Sequence, residues 1–240
     1  MDINNNNTTL FTDFSLFEKF GIFLTDTQKK QLADYYEILV SENEKYNLTS
    51  ITEINEIYHK HFLDSMLGGK FIKENAKVCD IGAGGGFPSI PLKILRPDLS
   101  FVLCDSRNKK INFLNLACEK IGLSNMTAIH SRIEELAHSK MRASFDCVVS
   151  RGVAPLQTLL EYKMPLVKVG GIALCFKGDV DKELETSHNA LKTFHCNKIT
   201  VEKFTVSENQ SLRSFLIVEK SVDSPKIYPR GKNEPRLQPL

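Results

Sequence analysis

Apolar residues recur at helical spacing through roughly the first 70 positions and then, from Lys77, fall into short runs separated by longer helical stretches. Phe14, Phe17, Phe20 and Leu24 form one stripe, and Leu32, Tyr35, Tyr36, Leu39 and Val40 a second, which predicts two amphipathic helices separated near residues 21–26. A third helix is expected over 54–67, carrying Ile57, Tyr58, Phe62, Leu63 and Met66, with Gly68-Gly69 as its stop. Residues 1 to about 12, with an asparagine run from Asn4 to Asn7, read as a frayed polar end. Beyond Lys77, residues 78–81, 101–104, 126–130, 145–149 and 172–176 read as strands alternating with helices, and that order implies a parallel sheet. Residues 199–206 and 214–219 have only a polar turn between them, so they are expected to pair antiparallel at the sheet edge.

This pattern predicts an α/β protein with a mostly parallel seven-stranded sheet, an antiparallel C-terminal strand and an N-terminal helical extension. That is the outline of a class I (Rossmann-like) methyltransferase, not of a standard dinucleotide-binding domain. The boundaries follow: a helical cap over 1–72, a methyltransferase domain over 73–222 and a basic tail over 223–240. The tail is punctuated by proline, lacks apolar periodicity and is expected to order only on its substrate. Thirty-one basic against 29 acidic residues leave a net charge of +2, so any nucleic-acid surface must be local. The six cysteines show no CxxC pairing, and four lie in predicted strands, which reads as reduced core thiols of a cytoplasmic protein. No window approaches the ~20 apolar residues of a membrane span.

The densest chemical signal is Lys77-Val-Cys-Asp-Ile-Gly-Ala-Gly-Gly-Gly-Phe-Pro88, a strand running into four glycines within five residues. Gly82, Gly84, Gly85 and Gly86 allow positive φ or close approach of a ligand to the main chain, and Pro88 presets the following helix. Ligands lie at such turns, across the carboxyl ends of the strands. Asp80 can hydrogen-bond an ammonium group, orient the loop amides or simply cap the turn. Asp105 closes the second strand 23 residues after Gly82 and can accept from ribose hydroxyls, which suits S-adenosylmethionine and a nicotinamide dinucleotide equally. Ser106 is expected to cap a helix whose first turn carries Arg107, Lys109 and Lys110, cations that oppose the helix dipole unless an anion is near. After the third strand, Ile133 could support an adenine ring. Arg151 ends the fourth strand on the crevice side and is the leading polar site residue. The six histidines show no metal-ligand spacing and no nucleophile elbow is present, so neither a metal nor a covalent intermediate is expected.

Eight blocks, in order, make the chain resemble the bacterial 16S ribosomal RNA guanine-N7 methyltransferase family RsmG, also called glucose-inhibited division protein B. They are Tyr46-Asn-Leu-Thr-Ser-Ile51, His61-Phe-Leu-Asp-Ser65, Asp80-Ile-Gly-Ala-Gly-Gly-Gly-Phe-Pro88, Asp105-Ser-Arg-Asn-Lys-Lys110 with Phe113-Leu114, Ser131-Arg-Ile-Glu134, Ser150-Arg151, Phe176-Lys-Gly178 and Tyr228-Pro-Arg230. The resemblance implies S-adenosylmethionine as cofactor, with contacts at Gly82, Phe87, Ile133, Glu134 and Arg151, and the small ribosomal subunit or its 16S RNA as substrate; a monomer is expected, though the sequence leaves the oligomeric state open. Two positions depart from the family pattern. Ser89 and Gly152 stand where glycine and alanine are usual, and Gly152 is expected to loosen the backbone beside Arg151. Arg107, Lys109, Lys110, Lys177, Arg230, Lys232 and Arg236 are the candidate contacts to an RNA backbone. Two other readings stay open: a nicotinamide-dependent oxidoreductase, although Phe87 replaces the third fingerprint glycine, and an RNA-binding or cofactor-sensing protein that keeps the pocket without turnover.

Overall fold

Side chains alternate across a strand, and in this chain both faces of that alternation are apolar, as a sheet covered on both sides requires. The structure, a computed structural model, describes residues 11–206 and 212–240; most of the expected polar end, and the turn expected after residue 206, lie outside the described residues. The strands are β1 (Lys77–Ile81), β2 (Ser100–Asp105), β3 (Met126–His130), β4 (Phe145–Arg151), β5 (Val167–Lys177), β6 (Ile199–Phe204) and β7 (Arg213–Glu219), in the spatial order β3-β2-β1-β4-β5-β7-β6. β1 to β5 run parallel, and β7 enters in reverse between β5 and β6. Val78, Leu103, Val149 and Leu174 face the N-terminal helices, whereas Cys79, Val102, Val148 and Ala173 face Leu136, Leu159, Leu160 and Phe194. All six cysteines carry free thiols. No helix among the described residues is long and apolar enough to cross a membrane.

The helix Asp26–Tyr46 opens with a reciprocal capping box, in which Thr25 Oγ1 accepts from Gln28 N and Gln28 Oε1 accepts from Thr25 N at 2.9 Å. Its buried Leu32, Tyr35 and Leu39 share one core with Leu103 and Phe113. The third expected helix is less regular than its periodicity implies. Ile54–Ile57 is α-helical, Tyr58–Leu63 widens to a π-helix and Asp64–Leu67 returns to α. Gly68-Gly69 does not stop it, because a 3-10 turn continues over Gly68–Phe71. Gly68 answers a packing need instead: a Cβ there would collide with the Phe176 ring at the end of β5.

Asp80 is fully buried on β1 and accepts from Ser89 Oγ at 2.6 Å, while its Oδ1 finds no partner among the described residues. Ser89 is therefore the group that ties the glycine turn back to β1. The segment after β7, expected to order only on substrate, packs on the fold. Arg142 donates to the carbonyls of Tyr228 (2.7 Å), Ser224 and Pro225 (both 3.0 Å), and Thr158 Oγ1 donates to Pro235 O at 2.9 Å. Periodicity cannot reveal such ordering, since side chains of the folded body grip the segment's backbone. Arg230 closes the attachment, with Nε and Nη2 on the two oxygens of the fully buried Glu161 at 3.0 and 2.7 Å.

Arg230→Ala leaves the Glu161 carboxylate buried without its counter-charge, and chemical denaturation is expected to record a loss of about 3 kcal/mol. Burial raises the Asp80 carboxyl to about 7 from an ordinary 3.8. The folded state thus holds a proton that the unfolded chain releases between about pH 4 and about pH 7. Stability from this group is complete below that window and is lost as pH rises through it. Asp80→Asn keeps an oxygen for Ser89 and cannot ionise. The Tm of the ligand-free wild type is expected to fall relative to this variant between about pH 4 and about pH 7; parallel curves would acquit Asp80.

Candidate active site

Three cavities open side by side along the carboxyl ends of the parallel strands. The largest, about 740 Å³, reaches from Asp105 and Glu134 to Gly152 and Asn233. A second of about 170 Å³ shares Leu48, Gly82 and Gly84 with it, and shares His61 and Arg151 with a third of about 280 Å³ that ends at Lys177 and Arg213. Together they form one groove across the point where β1 and β4 diverge in chain order, the switch point at which α/β sheets bind ligands.

The glycine turn forms the floor of the groove. Gly82 has φ +71°, and a Cβ there would meet the Val153 side chain at 2.8 Å, so only glycine fits. Gly84, at φ +55°, donates its N–H to Asp105 Oδ2 at 3.0 Å, while Asp105 Oδ1 accepts from Arg107 N at 2.9 Å. Asp105 therefore joins the first two strand-end turns and keeps lone pairs for the cleft. Ser106 does not take the expected capping role: the helix Asn108–Ile121 starts after Arg107 with no side-chain cap. Ile133 and Glu134 line the same cleft, and Glu134 Oε1 is buried with no partner among the described residues. Phe87 lies beneath Arg151, whose guanidinium carbon is 4.8 Å from the ring centroid. Asp80, read as a group that could meet an ammonium, has no exposed surface and acts from below the turn.

Arg151 is held at several points. Its Nη1 donates to Asp64 Oδ2 at 3.1 Å and to Lys60 O at 3.4 Å, and its Nη2 to His61 Nδ1 at 3.0 Å. A guanidinium can only donate, so His61 Nδ1 is the acceptor and its Nε2–H points to Thr49 Oγ1 at 2.9 Å. Burial first, then the adjacent Arg151 charge, push His61 down to about 3, which keeps the ring neutral at physiological pH. Asp64 also faces Arg213, at 3.7 Å. Gly152 does not loosen this arginine. It takes φ +65° just beyond β4, a conformation that alanine adopts only with strain, and the arginine is fixed by its partners.

The expected RNA contacts divide. Arg107, Lys109, Lys232 and Arg236 are exposed. Lys110 is buried, with its ammonium on Asn47 O at 2.6 Å; Lys177 is committed to Glu183 and Ala154 O, both at 2.7 Å; and Arg230 is committed to Glu161. These three are internal ties rather than free cations, because each reaches an acceptor on the folded body. Arg236 lines the large cleft and donates to Val153 O at 3.0 Å. Sequence reasoning assigned no role to His61, Asp64, Thr49 or Arg213. The spacing of His61 and Asp64, which places them on one helix face, was the available signal.

A family model described as rRNA small subunit methyltransferase G (GidB) matches residues 28–213. Ribosomal RNA small subunit methyltransferase G of Streptococcus gordonii is 44% identical over 232 residues, covering 95% of this chain and 98% of that protein. The protein of the same name from Lactobacillus acidophilus is 40% identical over 228 residues, covering 92% and 95%. The fold is also that of a solved SAM-dependent O-methyltransferase from Thermotoga maritima, with TM-score 0.53 and 13% identity over 78% of this chain and 73% of that one. The match extends from the helix that carries Tyr35, through the glycine turn and Arg151, to the first residue of β7, and the chain belongs to the rRNA small subunit methyltransferase G family.

Proposed function

We propose that this protein transfers a methyl group from S-adenosylmethionine to N7 of a guanine in the 16S RNA of the small ribosomal subunit. The observation that carries the reading is the continuous groove, with Asp105 and the Glu134 oxygen that has no partner among the described residues at one end, Arg151 and Arg213 at the other, and the glycine turn between. The cofactor fits the large cleft: Asp105 retains lone pairs for a vicinal diol, and the orphaned Glu134 Oε1 awaits a donor such as an exocyclic amine. When bound, S-adenosylmethionine supplies an electrophilic sulfonium methyl. The acceptor base then belongs in the smaller cavity beside Arg151, and Arg107 and Lys109 on the rim meet the RNA backbone. In this division the described residues of the 1–72 extension, from 11 onward, cap the acceptor side, and the sheet lies within 73–222. We take the enzyme to act as a monomer, and a ribosomal RNA substrate implies the cytoplasm.

Guanine N7 has an in-plane lone pair and no proton, so the residues need not supply a base, and neutral His61 is not asked to act as one. Their task is alignment, worth on the order of 7 to 11 kcal/mol in favourable intramolecular cases. Arginine commonly reads guanine through O6 and N7 together, which would occupy the reacting lone pair. Arg151 has already spent both Nη1 hydrogens and one on Nη2 on Lys60, Asp64 and His61. Its end-on Nη1/Nη2 fork is therefore already engaged and is not available to clasp O6 and N7, which supports an N7 left open to the methyl group.

The test is transfer of labelled methyl from S-adenosylmethionine to small-subunit particles and naked RNA from a strain lacking this gene, with the modified nucleoside identified by mass spectrometry. 7-Methylguanosine is the expected product. Arg151→Ala is expected to lower the rate about a hundredfold through misalignment; cofactor binding without transfer to either substrate would favour a sensor. Replacing Arg107 and Lys109 together should weaken RNA binding and reduce its salt slope by roughly 1 to 2, and a slope equal to that of the wild type would remove them from the RNA surface.

A further inference from the structure

The chain after β7 returns to the cofactor cleft and supplies part of its wall. Asn233 and Arg236 line that cleft together with Ile133, Glu134 and Tyr162. The return is built by the lock of Arg230 on Glu161, followed by Lys232 and Asn233 at φ +54° and +60°, two successive left-handed residues that reverse the chain. The Arg236 guanidinium is held by Val153 O, and Tyr162 lines the same wall of the cleft, yet the residue stays exposed. Val153 is also the residue whose side chain packs against Gly82, so the arginine is linked to the glycine turn through Val153. A cation gripped by its edge in a wet cleft leaves its planar face available. On the same cleft wall is Glu134 Oε1, buried and without a partner among the described residues.

We propose that Arg236 is a cofactor-binding residue, its guanidinium face covering the adenine ring of the bound nucleoside while Glu134 accepts from that ring's amino group. This rests on the reading of the cleft as the S-adenosylmethionine site. Guanidinium planes stack on π-systems, whereas an ammonium offers only a point charge. The cofactor's only anionic group is its amino-acid carboxylate, remote from the base. An arginine at the Glu134 end therefore meets the base and not that carboxylate. The segment 223–240 is then an integral wall of the methyl-donor site, and Arg236 serves the cofactor and not the RNA backbone.

The decisive measurement is calorimetric binding of S-adenosylhomocysteine and of adenosine to the full chain, as wild type, Arg236→Ala, Arg236→Lys and Lys232→Ala. Arg236→Ala is expected to weaken both ligands about tenfold, with Lys232→Ala like the wild type. Arg236→Lys preserves the charge and a donor for Val153, so a persistent loss in that variant assigns the effect to stacking and not to folding. Affinities within twofold of wild type in Arg236→Ala, full recovery in Arg236→Lys, or loss confined to S-adenosylhomocysteine would each overturn the proposal. A wild type that binds neither ligand would fail earlier, at the reading of the cleft, and would take this inference with it.

Discussion

The Arg151 guanidinium is the point at which three separately encoded parts of the chain meet. It sits at the end of β4, lies over Phe87 from the glycine turn, and donates to Lys60, His61 and Asp64 from the helix preceding the sheet. A buried guanidinium without these acceptors would carry a desolvation cost that the fold could not offset. The helix must therefore present a carbonyl, a neutral imidazole and a carboxylate within one stretch of five residues. The π-helical turn Tyr58–Leu63 spans most of it, and such widened turns often occur at functional sites. The neutrality of His61 is part of the same arrangement: a protonated ring would lose its acceptor nitrogen and repel Arg151.

The floor of the groove follows a related logic with carboxylates. Asp80, Asp105 and Glu134 all lie near the strand ends, but their surroundings assign them different tasks. Asp105 ties two turns together through backbone N–H groups, Asp80 holds Ser89 from beneath, and Glu134 keeps one oxygen unsatisfied in the cleft. An unsatisfied buried oxygen costs about 1 to 3 kcal/mol, which a fold retains when a ligand supplies the missing donor.

Much of this was legible in the chain. The change of apolar rhythm at Lys77 marks the parallel sheet, and the absence of a helix between the last two strands marks the reversed one. Gly82, Asp105 and Arg151 stand out because strand ends are where such residue types meet ligands. What was not legible depends on partners distant in sequence. Lys110, Lys177 and Arg230 read as free cations until Asn47, Glu183 and Glu161 are seen beside them. Gly68 reads as a helix stop until the Phe176 ring is placed against it. A charge count records which groups exist; only the fold states which are already engaged.

Ser89 and Gly152 carry this distinction furthest, since both looked like departures from a pattern. A serine at the start of a helix reads as a tolerated substitution, yet it is the one donor that the buried Asp80 carboxyl has among the described residues, and Asp80 underlies the whole glycine turn. Glycine after the arginine reads as slack, yet φ +65° is a conformation in which alanine is strained and glycine is not. With glycine there, the chain can turn away from β4 while Arg151 remains in register with Phe176 on β5. Rigidity at this arginine therefore comes from its acceptors and not from its backbone neighbour, and a more permissive residue beside it costs the site nothing.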